Sequence, residues 1–357
     1  MKIEQAANST YKLSSSIESG ISYLHEHQLA NGEFCCYYAP DDKMREWCVP
    51  DSTTFPTAMI SSCLLSLKTH KKVAKILSSA AGFLQYQAMT GSVWNYFTKW
   101  NRFFSACAAD ADSTVFASHV LKALEYEISC NRTSLLANRD RKGLFYTWFV
   151  LRRTKFRYLG REYLKIMARE LKRPLHTILF WLNHEASRSD IDAVVNANVL
   201  FYLGLDAETK PVVDYLVRVI MEDSEVTSDN WYKNPFTLYY FISRNYPTIK
   251  ELEPIKQRIV QRILARNKPD GSFNSSALET ALAISTLLNF GYEGDLTSSV
   301  EFLVNAQQPS GCWDRQIFFY SGRSKVVGWG SEELCTGYCL EALETYRRVN
   351  TNCFENL

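Results

Sequence analysis

One motif occurs near both ends of the chain and limits the folds that this sequence can adopt. It reads aromatic-Leu-x-x-x-Gln-x-x-x-Gly-x-aromatic and spans residues 23–34 and 302–313, with looser copies at 83–94 and 267–273. In each copy a helix would end at a glycine turn. There the glutamine amide can bond to frayed backbone, and the aromatic ring can pack on the helix end. Such repetition indicates an architecture of repeated units.

A second element also recurs, in which a polar or acidic cap precedes an apolar helix rich in small residues. The six copies begin at Pro50, Asp110, Asp190, Asn234, Asn274 and Ser331. Six amphipathic segments alternate with them, at 11–29, 72–88, 162–185, 207–222, 250–266 and 294–308. We therefore predict an all-α fold, an (α/α)6 toroid of six inner and six outer helices, as a single domain over residues 1–357. No hairpin signal competes with this pattern, so strands should be scarce.

Composition restricts the classes of protein to which the chain can belong. It is 46% hydrophobic with a net charge of +2, which argues for a large core and against nucleic acid as a partner. The polar start lacks the layout of a signal peptide, and no apolar run reaches the ~20 residues of a membrane span. We expect a cytoplasmic protein with ten reduced cysteines. Cys335 and Cys339 stand four apart, but no nearby histidine supports a zinc site.

The Gln-x-x-x-Gly-x-Trp element resembles the QW repeat of squalene–hopene and oxidosqualene cyclases. The predicted ring resembles one toroid of those enzymes and the β subunit of protein prenyltransferases, over nearly the whole chain. These cyclases usually pair two toroids and place the pocket between them, whereas this chain supplies one. The resemblance therefore implies that a second copy of the chain, as a homodimer, or an inserted segment closes the cavity.

The segment Asp110-Ala-Asp112-Ser113-Thr resembles the DxDDT motif of class II terpene cyclases, which protonate an alkene or an epoxide. The match implies that Asp112 is the catalytic acid. Such an acid needs an apolar pocket, and a neighbouring carboxyl group can favour its neutral form. Ser113 stands where the family has its last aspartate. Asp110 would then be the coupled carboxyl group, with the Ser113 hydroxyl as a hydrogen-bond partner.

Aromatic residues concentrate before the predicted inner helices and suit an apolar polyene ligand, since aromatic faces stabilise cations. The simpler alternative is that they fill a large core. We expect the substrate to contact Trp94, Tyr96, Phe103, Phe104, Trp148 and Trp329, together with the cap residue Glu332.

Asp190 and Asp192 form a second pair of acidic caps, followed by Asn196 and Asn198 on the same helix. In a ring the caps of the inner helices crowd around one cavity, so Asp112 should open into it within reach of Asp110 or Asp192. We expect Asp190, Asp192 and Asn196 to contact the substrate. No cofactor is required, although two such caps could hold Mg²⁺ for a substrate diphosphate.

A basic, aromatic segment interrupts the rhythm of the ring. Residues 132–173 carry 13 Lys or Arg against 3 acidic residues. We predict an insertion near residues 130–161 with exposed aromatics, which would contact a membrane surface peripherally or hold an amphiphilic substrate. A solvated basic face on an ordinary outer helix is the alternative.

These observations favour a class II-like terpene cyclase, a protonation-initiated enzyme of isomerase or lyase type acting on a linear isoprenoid or meroterpenoid. The alternative is a non-catalytic isoprenoid-binding or scaffold toroid that has lost the acid, a reading that Ser113 favours. A prenyltransferase β-like subunit would need a zinc-binding histidine late in the chain, but no histidine follows His184. An (α/α)6 carbohydrate enzyme would use two carboxylates, and the QW elements argue against it.

Overall fold

Six helices form a closed inner ring in the computed structural model, which describes residues 2–152, 154–172, 178, 185–322, 324 and 326–355. Each helix packs on the next, and the last packs on the first. In chain order they are α2 (Thr54–Leu64), α4 (Ala111–Ala123), α7 (Ala193–Leu203), α9 (Pro235–Ser243), α11 (Ala277–Asn289) and α13 (Glu332–Glu355). Their residues are buried on nearly every side, as expected for helices that are apolar all round.

A second layer of helices surrounds this ring. It comprises α1 (Lys2–His27), α3 (Lys71–Gln87), α6 (Arg161–Glu170), α8 (Lys210–Met221), α10 (Glu253–Leu264) and α12 (Thr297–Ala306). A short helix, α5 (Arg132–Ala137), packs on α6, and 3-10 turns cover Leu65–Leu67, Phe156–Tyr158 and Lys250–Leu252. The predicted toroid is thus confirmed. The second half of the outer helix expected at 162–185 lies largely outside the described residues.

Strands are scarce, as predicted, and the four described strands form one small antiparallel sheet. They are β1 (Cys36–Ala39), β2 (Val49–Asp51), β3 (Phe319–Tyr320) and β4 (Gly328–Gly330), in the order β2-β1-β4-β3. Tyr37 pairs with both Pro50 and Gly330, so the sheet joins the first repeat to the last. It lies at the end of the ring where the inner helices begin.

The glutamines of the two complete motifs tie neighbouring outer helices together. Gln28 donates from Nε2 to the carbonyl of Gly32 and, across to α3, to that of Ile76, both at 3.0 Å. Gln307 does the same with Gly311 at 2.8 Å and with Ser16 of α1 at 2.9 Å. One amide therefore links the glycine turn that follows its own helix to the adjacent outer helix.

The aromatic residue that ends each motif copy anchors the inner helix that follows it. Its backbone N–H donates to a threonine hydroxyl in the first turn or two of that helix, at 2.9–3.3 Å, in the pairs Phe34–Thr57, Trp94–Thr114, Phe273–Thr280 and Trp313–Thr336. The motif thereby fixes where α2, α4, α11 and α13 start. It consequently fixes where the cap residues stand.

Candidate functional site

A cavity of about 720 Å³ lies between the first turns of α2, α4 and α7 and the small sheet. Its walls are mainly aromatic. The aromatic lining residues are Tyr38, Phe55, Tyr96, Phe97, Trp100, Phe103, Trp148, Trp231, Tyr232, Phe319, Tyr320 and Trp329. Phe319 stacks on Trp329 with ring centres 6.0 Å apart, and Tyr96 meets Trp329 edge to face. A volume of this size, bounded by ring faces, suits an apolar ligand.

Asp112 lies in the wall of this cavity, in the first turn of α4. It is 6% exposed, and two neutral donors hold its carboxyl group. Nδ2 of Asn198 donates to Oδ1 at 2.8 Å, and the Tyr232 hydroxyl lies 2.6 Å from Oδ2. Burial raises the pKa of Asp112 to about 6, although the bonds from Tyr232 and Asn198 and the charge of Arg244 act in the opposite direction. Near neutral pH this carboxyl group can both hold and release a proton.

Asp110 caps α4, and its carboxylate accepts the amide N–H of Ser113 at 2.6 Å. It also lines the cavity. Burial, with a smaller contribution from the nearby Asp112, raises the pKa of Asp110 to about 7, although the hydrogen bond from the Ser113 amide acts in the opposite direction. Ser113 reaches the cavity wall as well, so the three residues assigned to catalysis by sequence lie together. The backbone explains the placement, because Trp94 and Thr114 fix the start of α4.

Asp190 and Asp192 lie behind the wall, where they orient aromatic residues that face the ligand space. Asp192 accepts from the Thr147 hydroxyl at 2.5 Å and from Nε1 of Trp231 at 3.1 Å. Asp190 accepts from Nδ2 of Asn230 at 3.0 Å. Burial, followed by the charge of Asp229, raises the pKa of Asp192 well above its ordinary value.

Asp192, and not Asp190, is the cap of α7, so Asp192 corresponds to Asp110. The two Asp-x-Asp segments are therefore out of register. The α7 position that corresponds to Asp112 is held by Val194, and no second acid faces the cavity from this helix.

Six residues expected to contact substrate do not line the cavity. Asp190 and Asp192 accept hydrogen bonds from side chains behind the cavity wall. Trp94 is fully buried and donates from Nε1 to the Leu84 carbonyl, and Phe104 packs under the Arg169 guanidinium. Asn196 bonds both the N–H and the carbonyl of Phe145, whereas Glu332 pairs with Arg315 at 2.7 Å. Tyr96, Phe103, Trp148 and Trp329 do line it.

Sequence reasoning missed the segment 229–232, which supplies the second partner of Asp112. The carboxylate of Asp229 accepts from the amides of Trp231 and Tyr232 at 2.8 and 2.9 Å, and from that of Val194 at 3.0 Å. This arrangement holds Tyr232 against Asp112 from the next repeat. The available signal was the Asp-Asn pair directly before two aromatics, a turn type that commonly places the following side chains.

The outer part of the cavity is polar. The carboxylate of Asp51 accepts from Nδ2 of Asn101 at 2.8 Å and from Nε1 of Trp329 at 3.0 Å. Nε1 of Trp100 donates to the Ser52 hydroxyl at 2.6 Å. Arg102 is the one cationic side chain among the described lining residues. A head group that carries a single negative charge or a hydroxyl therefore matches this region better than a highly charged one.

Other expectations concern metals, cysteines and membranes. Within the described residues, no cluster of three or more His, Cys, Asp or Glu side chains could hold a metal ion. Nine cysteines there are free thiols, including Cys335 and Cys339. None of the helices that the structure describes is both long and apolar enough to cross a bilayer.

The aromatics of the basic segment are mostly inside. Phe145 and Phe149 are buried in the core with residues of α5 and α6, and Trp148 is buried in the cavity wall, whereas Phe156 is exposed. Arg152 stacks on the ring of Tyr146 at 3.5 Å, and Arg153 lies outside the described residues.

No protein-family model matches the sequence, and no curated protein matches it. Solved structures do match the fold. One is a protein from Actinoplanes, with a TM-score of 0.68 and 19% identity over 93% of this chain and 99% of that one. Another is a variant of the type II terpene cyclase MstE from Scytonema in which one arginine is replaced by alanine, in complex with geranylgeranyl dihydroxybenzoate. It has a TM-score of 0.67 and 16% identity over 95% and 98% of the two chains.

The ent-copalyl diphosphate synthase from Streptomyces platensis matches 82% of this chain and 50% of its own, with a TM-score of 0.52 and 15% identity. The chain therefore has the toroidal fold that these terpene cyclases share.

Proposed function

We propose that this protein is a class II-like terpene cyclase, which starts the cyclisation of a linear isoprenoid or meroterpenoid by protonating it. The observation that carries the proposal is the position of Asp112. Its carboxyl group is held by two neutral donors in the wall of a 720 Å³ aromatic cavity. The likeness in fold to a type II cyclase that binds geranylgeranyl dihydroxybenzoate supports it.

In the proposed first step the neutral Asp112 carboxyl group gives its proton to a terminal C=C bond or an epoxide. The O–H bond breaks, the π electrons of the alkene form the new C–H bond, and a carbocation remains. The carboxylate left behind accepts from Asn198 and Tyr232, so the hydrogen bonds that hold it strengthen as charge develops. The surrounding ring faces stabilise the cation while the chain closes. Transfer of a proton from the cyclised cation to a water molecule ends the reaction, and a proton from solvent restores the neutral Asp112.

Asn198 and Tyr232 also bear on the replacement of the motif's last aspartate by Ser113. The family places a further carboxyl group at that position, whereas here a serine follows the acid. Two neutral donors contact the oxygens of Asp112 directly, and Asp110 lies beside it. After proton transfer, each oxygen of the Asp112 carboxylate is therefore stabilised by a hydrogen-bond donor, without a third aspartate.

The cavity, at about 720 Å³, is of the size that encloses most of a drug-sized ligand, so a linear isoprenoid chain with a small head suits it. We place the head near Arg102 and Asn101, in the polar outer part of the cavity. A diphosphate there would need Mg²⁺ to offset the nearby Asp51.

A binding protein without catalysis is the second candidate, because Ser113 departs from the motif. Incubation with prenyl diphosphates, squalene-type polyenes and prenylated hydroxybenzoates, followed by mass spectrometry, tests both. We expect a cyclic isomer of a geranylgeranyl-type substrate, the class found in complex with the similar type II cyclase. Saturable quenching of tryptophan fluorescence without any product across the panel would favour the binding protein.

A further inference from the structure

Arg244 places a positive charge inside the ring. It lines a second, small cavity, whereas Asp112 lies in the wall of the large one. Arg244 follows α9, and its guanidinium lies over the ring of Phe201 at 4.1 Å and over that of Phe116 at 5.3 Å. The rings of Tyr240 and Phe241 lie at 5.6 and 5.8 Å. Among the described residues no carboxylate forms an ion pair with it. Glu341 on α13 is the carboxyl group whose charge acts on Arg244, and the guanidinium charge also acts on Asp112.

Arg244 and Asn198, the residue that donates to the acid, both line a small cavity of about 10 Å³. Asn198, Arg244, His119, Phe201 and Tyr202 are among its lining residues. Asn198 is 3% exposed, and while its Nδ2 donates to Asp112, its Oδ1 has no hydrogen-bond partner within the described structure. The volume is at the lower limit for one water molecule, which could join that acceptor to the guanidinium donors.

Resting on the proposed function, we propose that Arg244 is a positioning residue that strengthens Asp112 as an acid. Its caged charge stabilises the carboxylate that remains after proton transfer, and Asn198 forms the polar link between them. A stronger acid protonates an alkene faster, because its conjugate base is more stable in the transition state. No other described cation faces Asp112 from the side of the small cavity.

The remaining titratable groups around the pair do not supply this charge. His119 faces Arg244 from α4, but burial, and next the charge of Arg244, lower its pKa to about 4, so it is neutral near pH 7. Glu341 and Tyr338 on α13, Cys63 on α2 and Tyr240 on α9 face Arg244 and would weaken its field if ionised. On the other side Asp110, Asp229 and Tyr232 face Asp112, and each is neutral or negative.

Infrared difference spectra between the wild type and Asp112→Asn isolate the carbonyl stretch of Asp112 and give its pKa without any substrate. In an Arg244→Gln background we expect that pKa to move upward by roughly one pH unit, which corresponds to a tenfold change in the protonation constant. Arg244→Lys keeps the charge and should leave the pKa close to that of the wild type. Arg258→Gln, at a surface pair with Asp223, is the matched control and should change nothing.

Turnover provides the second measurement. With an active substrate, and at a pH below about 5 where Asp112 is protonated in every variant, Arg244→Gln should lower kcat by up to about tenfold with little change in KM, and Arg244→Lys should restore most of it. An unchanged Asp112 pKa in Arg244→Gln overturns the proposal, as does an equal shift in the lysine variant, since packing and not charge would then be responsible. Absence of turnover in the wild type contradicts the proposed function but leaves the infrared result to decide this inference.

Discussion

Asp112 differs from the other buried carboxyl groups at this end of the ring in what surrounds it. Asp110 accepts the backbone amide of Ser113, and Asp192 bonds Thr147 and Trp231. Both therefore help to shape the wall. The partners of Asp112 are side chains from two later repeats, Asn198 and Tyr232, and its carboxyl group reaches the ligand space. A residue held in this way can change its protonation state without loss of a helix cap.

The activity of the protein should depend on that carboxyl group. Asp112→Asn preserves the size of the side chain and lets it bond Asn198 and Tyr232, but removes the transferable proton. We expect turnover to fall at least ~100-fold, the lower end of what a positioned acid contributes. Asp190→Asn is the matched control, since this residue is equally buried but does not line the cavity, and it should cost less. If Asp112→Asn is fully active while Asp190→Asn or Asp192→Asn is inactive, the acid does not lie on α4 and the assignment to Asp112 is wrong.

The same substitution should change how stability depends on pH. The folded-state pKa of Asp112, about 6, lies above its unfolded value near 3.9, so the native state binds more protons between these values. Wild-type stability consequently falls as pH rises through this window, and the asparagine variant escapes this loss. We expect Asp112→Asn to be stabilised relative to wild type by about 2 kcal/mol more at pH 8 than at pH 4.5.

Urea unfolding at the two pH values measures this difference. The wild-type curve alone is less informative, because burial also raises the pKa of Asp110 and of Asp229 to about 7. Subtraction of the variant from the wild type removes their contributions as long as they titrate alike in both proteins. If the difference in unfolding free energy between the two proteins is constant with pH, the pKa of Asp112 is not raised in the folded state.

At the level of elements, the motif repeats determine helix ends and hence the position of the caps. Gly311 has φ +94°, and a Cβ there would lie 2.4 Å from the carbonyl oxygen of Ser19 in α1. Gly204 has φ +76° with nothing within 4 Å. Alanine at either position meets backbone strain of roughly 1–3 kcal/mol, because φ is positive at both. Only at Gly311 must a neighbouring helix also move.

We therefore expect Gly311→Ala to lower the free energy of unfolding by at least ~2 kcal/mol more than Gly204→Ala does, because a clash with backbone cannot be relieved by a rotamer change. Chemical denaturation of the two variants beside the wild type measures both values. Equal losses would mean that the glycine is needed for its φ angle alone, and that α1 does not pack on the turn as described.

The element pattern was predictable because cap residues and helix periodicity are local properties of the chain. Asp110, Asn234 and Ser276 each cap an inner helix with a side-chain bond to backbone, as their residue types suggest. The register between repeats was harder to predict from the sequence. Asp190 and Asp110 look equivalent in sequence, yet α7 starts two residues later, at Asp192. The deciding contact, Asn196 with the backbone of Phe145, joins residues 51 apart and has no local signature.

At the level of the whole molecule, the cavity follows from distances that no short segment encodes. Trp94 and Tyr96 stand two apart in one aromatic run, but Trp94 is sealed under α4 while Tyr96 lines the cavity. The lining residues come from both ends of the chain, including Tyr38 and Trp329, which the small sheet joins. Sequence could therefore predict an aromatic site and its acid, but not which aromatics face the ligand or that Asn198 and Tyr232 hold Asp112.

One outer surface bears on how an apolar substrate reaches the protein. The exposed apolar residues of the basic segment are Leu151, Phe156, Leu159, Leu164 and Leu171, and exposed cations lie among them at Lys155, Arg161, Lys165 and Lys172. Phe156 is 89% exposed. Apolar tips surrounded by cations suit the interface of an anionic bilayer, where each cation near the surface contributes about 1 kcal/mol. We propose that this surface docks peripherally on such a membrane.

Co-sedimentation with phosphatidylcholine vesicles, with and without phosphatidylserine, tests this docking. Binding should increase with the anionic lipid, and Phe156→Asp should weaken it about tenfold, because loss of a buried phenylalanine removes ~1.5–3 kcal/mol and a factor of ten corresponds to 1.4 kcal/mol. Tyr11→Asp is the matched control, since Tyr11 is a 73% exposed aromatic on α1, whereas the docking residues extend onto α6. Equal binding of both variants, or binding that ignores phosphatidylserine, would contradict docking through this surface, and the substrate would then have to enter from solution.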